Sequence, residues 1–193
     1  MENEDLFKLL GGNHPLRPEL KEKLGEMIKR ENYTKSQIIL KPGQTANRAW
    51  FIEKGCAMGY IHREEKKVPF WFWNEGELML PLNSFFNQVP SDTYIELLEP
   101  ATLLSISYEH TQEMLKSFPE SNEFVRRIMN QHQQRSEKRI LEFAAYTAQE
   151  HYLHLMKESP ALFRKASVES IAAYLGVSRK TLNRIRNRTR RIY

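Results

Sequence analysis

Apolar residues along the chain change their spacing several times, and each change predicts a new kind of element. Between residues 14 and 32, HPLRPELKEKLGEMIKREN sets Leu20, Leu24, Met27 and Ile28 on one side of a helix, with Pro15 and Pro18 near its start. The texture then becomes that of short strands. SQIILKPGQ, AWFIEKGCAMGYIHREEKKVPFWFWNEGELML and YIELLEPATLLSISYE are rich in Ile, Leu, Phe, Trp and Tyr. Pro-Gly, Lys-Gly, Glu-Gly and Glu-Pro interrupt them about every ten residues, the pattern of a β-sandwich or barrel. REEKK, at 63–67, reads as a polar hairpin tip.

From Tyr108 the spacing is helical again. YEHTQEMLKSFPES is a short helix ending at Pro119. Residues 121 to 157 then contain neither Pro nor Gly. Phe124, Val125, Ile128, Met129, Ile140, Leu141, Phe143 and Ala144 recur there at three- and four-residue steps, around a polar middle, NQHQQRSEKR. A helix of this length reads either as a dimer contact or as a helix packed on its own body. YTAQEHYLHLMKESP carries a new apolar phase (Tyr152, Leu155, Met156), which predicts a break near Thr147 and an end at Ser159-Pro160.

Two more helices fit after Pro160. SVESIAAYL has Ser167 as its N-cap, and RKTLNRIRNR follows a second N-cap, Ser178. Gly176 lies between them, where a chain leaving a helix needs a left-handed residue. Ile171, Leu175, Val177, Leu182 and Ile185 take inward positions, and Ala172 is small where the helices would cross. These are the requirements of a helix-turn-helix that binds DNA, with a purely structural helical hairpin as the alternative. Arg179, Lys180, Asn183 and Arg184 then point outward. Arg pairs two donors with guanine, and Asn pairs with adenine. Ser167, Ser178, Thr181 and the basic run Arg186, Arg188, Arg190 and Arg191 suit phosphate contact, as does Lys165 ahead of the first helix.

Charge sharpens this picture. From Arg164 to Tyr193 there are nine basic residues and one acid, Glu169, a net +8 in a chain whose total is +5. The other 163 residues therefore carry −3. A mildly acidic body with a basic end implies a polyanionic partner at that end; the alternative is a disordered basic tail. No apolar run approaches the ~18 residues of a membrane span, and the acidic start MENEDLFKLLGG is unlike a secretory signal. A single Cys56 forms no internal disulfide and cannot alone hold an iron–sulfur cluster. The expectation is a cytoplasmic protein without membrane contact.

Enzyme chemistry finds little support. No Ser-His-Asp pattern or Gly-rich phosphate loop stands out. His62 sits beside the charged hairpin and reads as a surface residue. His151 and His154 stand next to Glu150 at a spacing that one metal could bridge, but no third ligand is evident, and packing or surface roles are preferred. The expectation is no catalytic residue, no metal and no resident cofactor.

The segments ILKPGQ (39–44), WFIEKGCAMGYI (50–61), EGEL (75–78) and IAAYLGVSRKTLNRIR (171–186) resemble the Crp/Fnr (catabolite activator protein) family of transcription regulators, over residues 15 to 188. PSDTYIELLEP (90–100) and TAQEHYLHLMKESPALF (147–163) are similar to its Bacteroidetes-type branch. The resemblance implies an α+β fold: a cyclic-nucleotide-binding-like β-roll (jelly roll), a long dimerisation helix and a C-terminal winged-type helix-turn-helix. The corresponding boundaries are 1–119 for the roll with its N-terminal helix, 120–146 for the long helix and 147–193 for the DNA-binding domain. It further implies a homodimer that binds double-stranded DNA, meets RNA polymerase and answers to a small-molecule effector. The alternative is a small-molecule-binding roll with nonspecific nucleic-acid contact.

In the family, Ser-Arg-Glu-Thr and an Arg four places after the Glu read the operator. The matching residues here are Ser178, Arg179, Lys180, Thr181 and Arg184, so Lys180 replaces the usual Glu. A Glu accepts from cytosine and a Lys cannot, so the family's usual half-site is not expected. For the effector pocket, Gly76-Glu77 matches the Gly-Glu that starts the phosphate cassette, although Glu77 also reads as a turn residue. In FFNQVPSDT (85–93), Asn87 and Gln88 stand where the family places Arg-Ser, with Thr93 close by. Without that Arg nothing there offsets a phosphate, and cyclic AMP is not expected. Phe70, Trp71, Phe72 and Trp73 read as strand packing rather than as a ligand-stacking box.

Overall fold

A computed structural model describes residues 3–12 and 15–189. The chain divides into two compact units. One takes the residues up to Met58 together with Phe72–Asn130; the other takes Gly59–Trp71 and the residues from Gln131 onward.

Among the described residues, two N-terminal helices, α1 (Glu4–Gly11) and α2 (Pro18–Met27), precede eight strands. They are β1 (Lys29–Tyr33), β2 (Ile38–Leu40), β3 (Arg48–Lys54), β4 (Ala57–Arg63), β5 (Lys66–Trp73), β6 (Leu78–Met79), β7 (Tyr94–Leu97) and β8 (Ala101–Ser107), with helix α3 (Leu82–Asn87) between β6 and β7. The strands form two four-stranded sheets, ordered β1-β8-β3-β6 and β2-β7-β4-β5. β8 pairs antiparallel with β1 (Lys29 opposite Ser105) and with β3 (Trp50 opposite Ser105). Sequence spacing misses α1, whose Leu6 packs on Phe51 and Leu104. It also carries the next helix too far: residues 29 to 32 leave the helix for β1. Pairing with β8 overrides the weak helical signal of KREN.

The run Ala49-Trp50-Phe51-Ile52 is buried throughout, because β3 is covered on both faces. Leu16, Leu20, Leu24 and Met27 pack with Met114 and Phe124 in a separate cluster. The turn after β3 requires glycine: Gly55 has φ +117°, and a Cβ there would sit 2.6 Å from the Ala101 Cβ. The REEKK tip forms as expected. Glu64 and Glu65 both have positive φ (50° and 61°), the mirror-type turn that matches strand twist.

Helix α4 (Tyr108–Ser117) is capped by Ser107, whose hydroxyl accepts from His110 N–H at 3.1 Å. The long helix α5 (Ser121–Ala145) ends where the apolar phase changes, and α6 (Ala148–Glu158) follows. Thr147 and Glu150 form a reciprocal capping box: Thr147 Oγ1 accepts from Glu150 N–H at 3.3 Å, and Glu150 Oε2 accepts from Thr147 N–H at 2.8 Å. No helix among the described residues is long and apolar enough to cross a membrane.

The polar middle of α5 has its own packing partner. The His132 ring stacks on Trp71 at 4.8 Å, and the Arg135 guanidinium lies 4.4 Å over the same indole. Burial, and then the Arg135 charge, hold the His132 pKa below its ordinary value of 6.5. The folded state therefore binds fewer protons than the unfolded state. This stability is complete above the unfolded pKa and is lost as pH falls toward the lower folded value. Urea midpoints should drop between about pH 7.5 and about pH 5.5, and His132→Gln should flatten that slope. A slope unchanged in the variant would remove His132 from the account.

Candidate nucleic-acid interface

Among the described residues, three helices follow Pro160: the single turn α7 (Leu162–Lys165), α8 (Val168–Tyr174) and α9 (Arg179–Thr189). Each sequence-assigned cap is present. Ser167 Oγ accepts from Ser170 N–H at 3.0 Å, and Ser178 Oγ accepts from Thr181 N–H at 3.1 Å. Gly176 takes φ +69°. Its N–H donates to Ala173 O and that of Val177 to Ala172 O, closing the turn. Ile171, Ala172, Leu175, Leu182 and Ile185 are buried, and Val177 is half-buried. Ala172 is 2% exposed. A larger side chain there would overfill the crossing.

With its buried side fixed by Leu182, Ile185 and Thr189, α9 turns the opposite side outward. Lys180, Asn183, Arg184 and Arg188 are exposed on it, and Arg186 is half-buried at its edge. Asn187 is exposed one helical turn beyond Asn183. The same 3.6-residue spacing that selects Asn183 also selects Asn187, which is not among the residues expected from the sequence. Arg179 is exposed but engaged: its Nη1 lies 2.7 Å from Glu169 Oε1 at the start of α8. Thr181 is half-buried, with its hydroxyl 3.0 Å from that of Ser178. Lys165 is half-buried at the end of α7. Arg190 and Arg191 lie outside the described residues.

Arg139 ties this motif to the long helix. Arg139 of α5 lies 3.5 Å over the Tyr174 ring and 4.6 Å over Phe143, and its Nη2 donates to Tyr174 O at 3.0 Å. Further along α5, Ile140 (68% exposed), Leu141 (67%) and Phe143 (49%) leave an apolar stripe in solvent.

The five residues expected in an effector pocket are held mostly by local bonds. Gly76 occupies a turn with φ +80°, its N–H bonded to Ile52 O. Glu77 Oε2 accepts from Asn74 N–H at 3.0 Å within that turn. Asn87 is exposed and donates to Asn83 Oδ1. The Gln88 amide donates to Phe85 O and Ala46 O. Thr93 N–H donates to Ser91 Oγ. None of the five lines the apolar cavity of about 70 Å³ enclosed by, among others, Leu10, Phe51, Phe85, Met114, Phe124 and Ile128.

Comparison with known proteins agrees with the strand half of this description. Residues 30–118 match the cyclic nucleotide-binding domain. No curated protein sequence matches the chain. Among solved structures, the c-di-GMP responsive global regulator CLP of Xanthomonas campestris is similar, with TM-score 0.70 and 16% identity over 90% of this chain and 92% of that one. FixK2 of Bradyrhizobium japonicum gives 0.71 and 13% identity, covering 83% of each chain. A crp/fnr-family transcriptional regulator of Eubacterium rectale gives 0.70 and 16% identity, covering 88% of this chain and 82% of that one. The shared architecture is the α+β fold expected from the sequence: the nucleotide-binding-type roll, the long helix and the C-terminal helices.

Proposed function

We propose that this chain is a sequence-specific, DNA-binding transcriptional regulator of the Crp/Fnr type. It acts as a homodimer along α5, and its roll answers to an effector other than cyclic AMP. One observation carries the reading: α9 buries Leu182 and Ile185 while Lys180, Asn183, Arg184 and Arg188 stand exposed on its opposite side. A helix so placed enters the major groove, with phosphate contacts from the motif's rim. Lys180 and Arg184 favour guanine O6 and N7, and Asn183 favours adenine. Arg139 couples the long helix to the motif, so a shift of α5 moves the recognition helix.

Selection from random duplexes should enrich a palindrome with half-sites about one helical turn apart, ~34 Å. Arg184→Ala should cost about 1–3 kcal/mol on that site and relax one base position. An unaltered selected motif would remove Arg184 from base reading, and no enriched palindrome would favour nonspecific contact. Calorimetry with cyclic AMP should show no binding, because no cation stands at Asn87 or Gln88 and the Gln88 amide is bonded to backbone.

A further inference from the structure

We propose that Glu142, His154 and Glu158 form a binding site for a divalent transition-metal cation, with His151 positioning Glu142. In the sequence, His151 and His154 stand next to Glu150 with no evident third ligand. The capping box at Thr147 takes up the Glu150 carboxylate. It also fixes the turn between α5 and α6, and Glu142 of α5 supplies the ligand that α6 lacks.

The geometry is that of a donor cluster. His154 Nδ1 lies 3.1 Å from Glu142 Oε1, and His154 Nε2 lies 3.4 Å from Glu158 Oε1. His151 Nε2 faces the other Glu142 oxygen from 3.5 Å. One ligand atom each from Glu142, His154 and Glu158 fit within 4.8 Å of one another, the one such group among the described residues. Imidazole nitrogen with carboxylate oxygen suits Zn²⁺ and its first-row neighbours, and a metal-bound imidazole normally gives its other nitrogen to a carboxylate. His154 has a carboxylate beside each ring nitrogen, Glu142 at Nδ1 and Glu158 at Nε2, and one of them turns from the ring to the metal on binding.

Burial and charge strengthen the case. The Glu142 side chain is 12% exposed and that of His151 is 5%. His151 is enclosed edge-on by Phe143. Glu142 is shielded while Glu158 is half exposed, and a carboxylate placed as Glu142 is calls for positive charge. Lys138 answers in part: its Nζ contacts Glu158 and lies 3.9 Å from Glu142 Oε1. One ammonium against two carboxylates leaves a charge of −1 among these three side chains. A divalent cation that displaced the half-exposed Lys138 would bring the pair of carboxylates to neutrality.

The test uses the full chain after chelator treatment, with Zn²⁺ in calorimetry and Co²⁺ in visible absorption. One metal per chain is expected, with Co²⁺ bands of a nitrogen–oxygen site. His154→Gln and Glu158→Gln should each weaken binding at least tenfold. His151→Gln should weaken it about tenfold and shift the Co²⁺ bands. Lys138→Met should tighten binding severalfold, since the competing ammonium is gone. Circular dichroism establishes that each variant is folded. No stoichiometric metal on the wild type, or equal affinity in His154→Gln and Glu158→Gln, would overturn the site. Weaker binding in Lys138→Met would make the lysine part of the site rather than its placeholder. None of these readouts involves DNA, so the site and the regulator reading fail independently.

Discussion

The double variant Ile140→Glu, Leu141→Glu should be a monomer at micromolar concentration and should lose specific DNA binding by more than a hundredfold. Both side chains are about two-thirds exposed on α5, and Phe143 beside them is half exposed. An isolated helix gains nothing from such a stripe. Burying a Leu or Ile side chain contributes about 1.5–3 kcal/mol, and a two-fold interface counts each residue twice. Four glutamates in its place would be desolvated next to one another, at a cost no surface pairing offsets. Glutamate favours the helix, so α5 itself should persist. A monomer reaches one half-site at a time and loses the effective concentration that tethers the second motif, which is why the DNA effect exceeds that of any single base contact. Light scattering and a titration on the selected palindrome measure both quantities. A variant that stays dimeric would move the contact away from this stripe.

The helix-turn-helix was legible in the sequence almost residue by residue, because each demand on it is local. Ser167 and Ser178 cap, Gly176 turns, and Leu182 and Ile185 repeat at a spacing that only a helix satisfies. The strands were legible as a group, because turn signals punctuate them, but their order was not. The pairing of β1 with β8 joins residues some seventy apart, and KREN alone reads as the end of a helix. The polar middle of α5 misled for the same reason. His132 and Arg135 look solvated in sequence, yet Trp71 lies against them. Likewise Glu142 stands nine places before His151, across a helix break, and no helical spacing relates them. Arg179 shows the converse limit. Its exposed position was legible, but the ion pair with Glu169 depends on how α8 meets α9. Lys180, Asn183, Arg184 and Asn187 therefore form the centre of the proposed reading face, with Arg179 at its edge.

Leu182→Ala should abolish DNA binding by a different route, through the fold of the motif rather than its chemistry. Leu182 is 1% exposed between α8 and α9, where Ile171, Leu175 and Ile185 are also buried. Truncating a buried leucine costs about 2–5 kcal/mol, and the higher values occur where neighbours cannot close the gap. Collapse is restricted here because Ala172 already brings the helices close and Gly176 fixes the turn. The loss is a large share of what a unit this small can hold. Amide exchange should accelerate across α8 and α9 while β3 and β8, in the other unit, keep their protection. Affinity for the selected site should fall together with that protection. Arg184→Ala, by contrast, should leave exchange unchanged and alter only the DNA titration. If Leu182→Ala kept wild-type affinity with α9 exchanging freely, an ordered recognition helix would be unnecessary for binding. The basic residues of α9 would then act as charge alone.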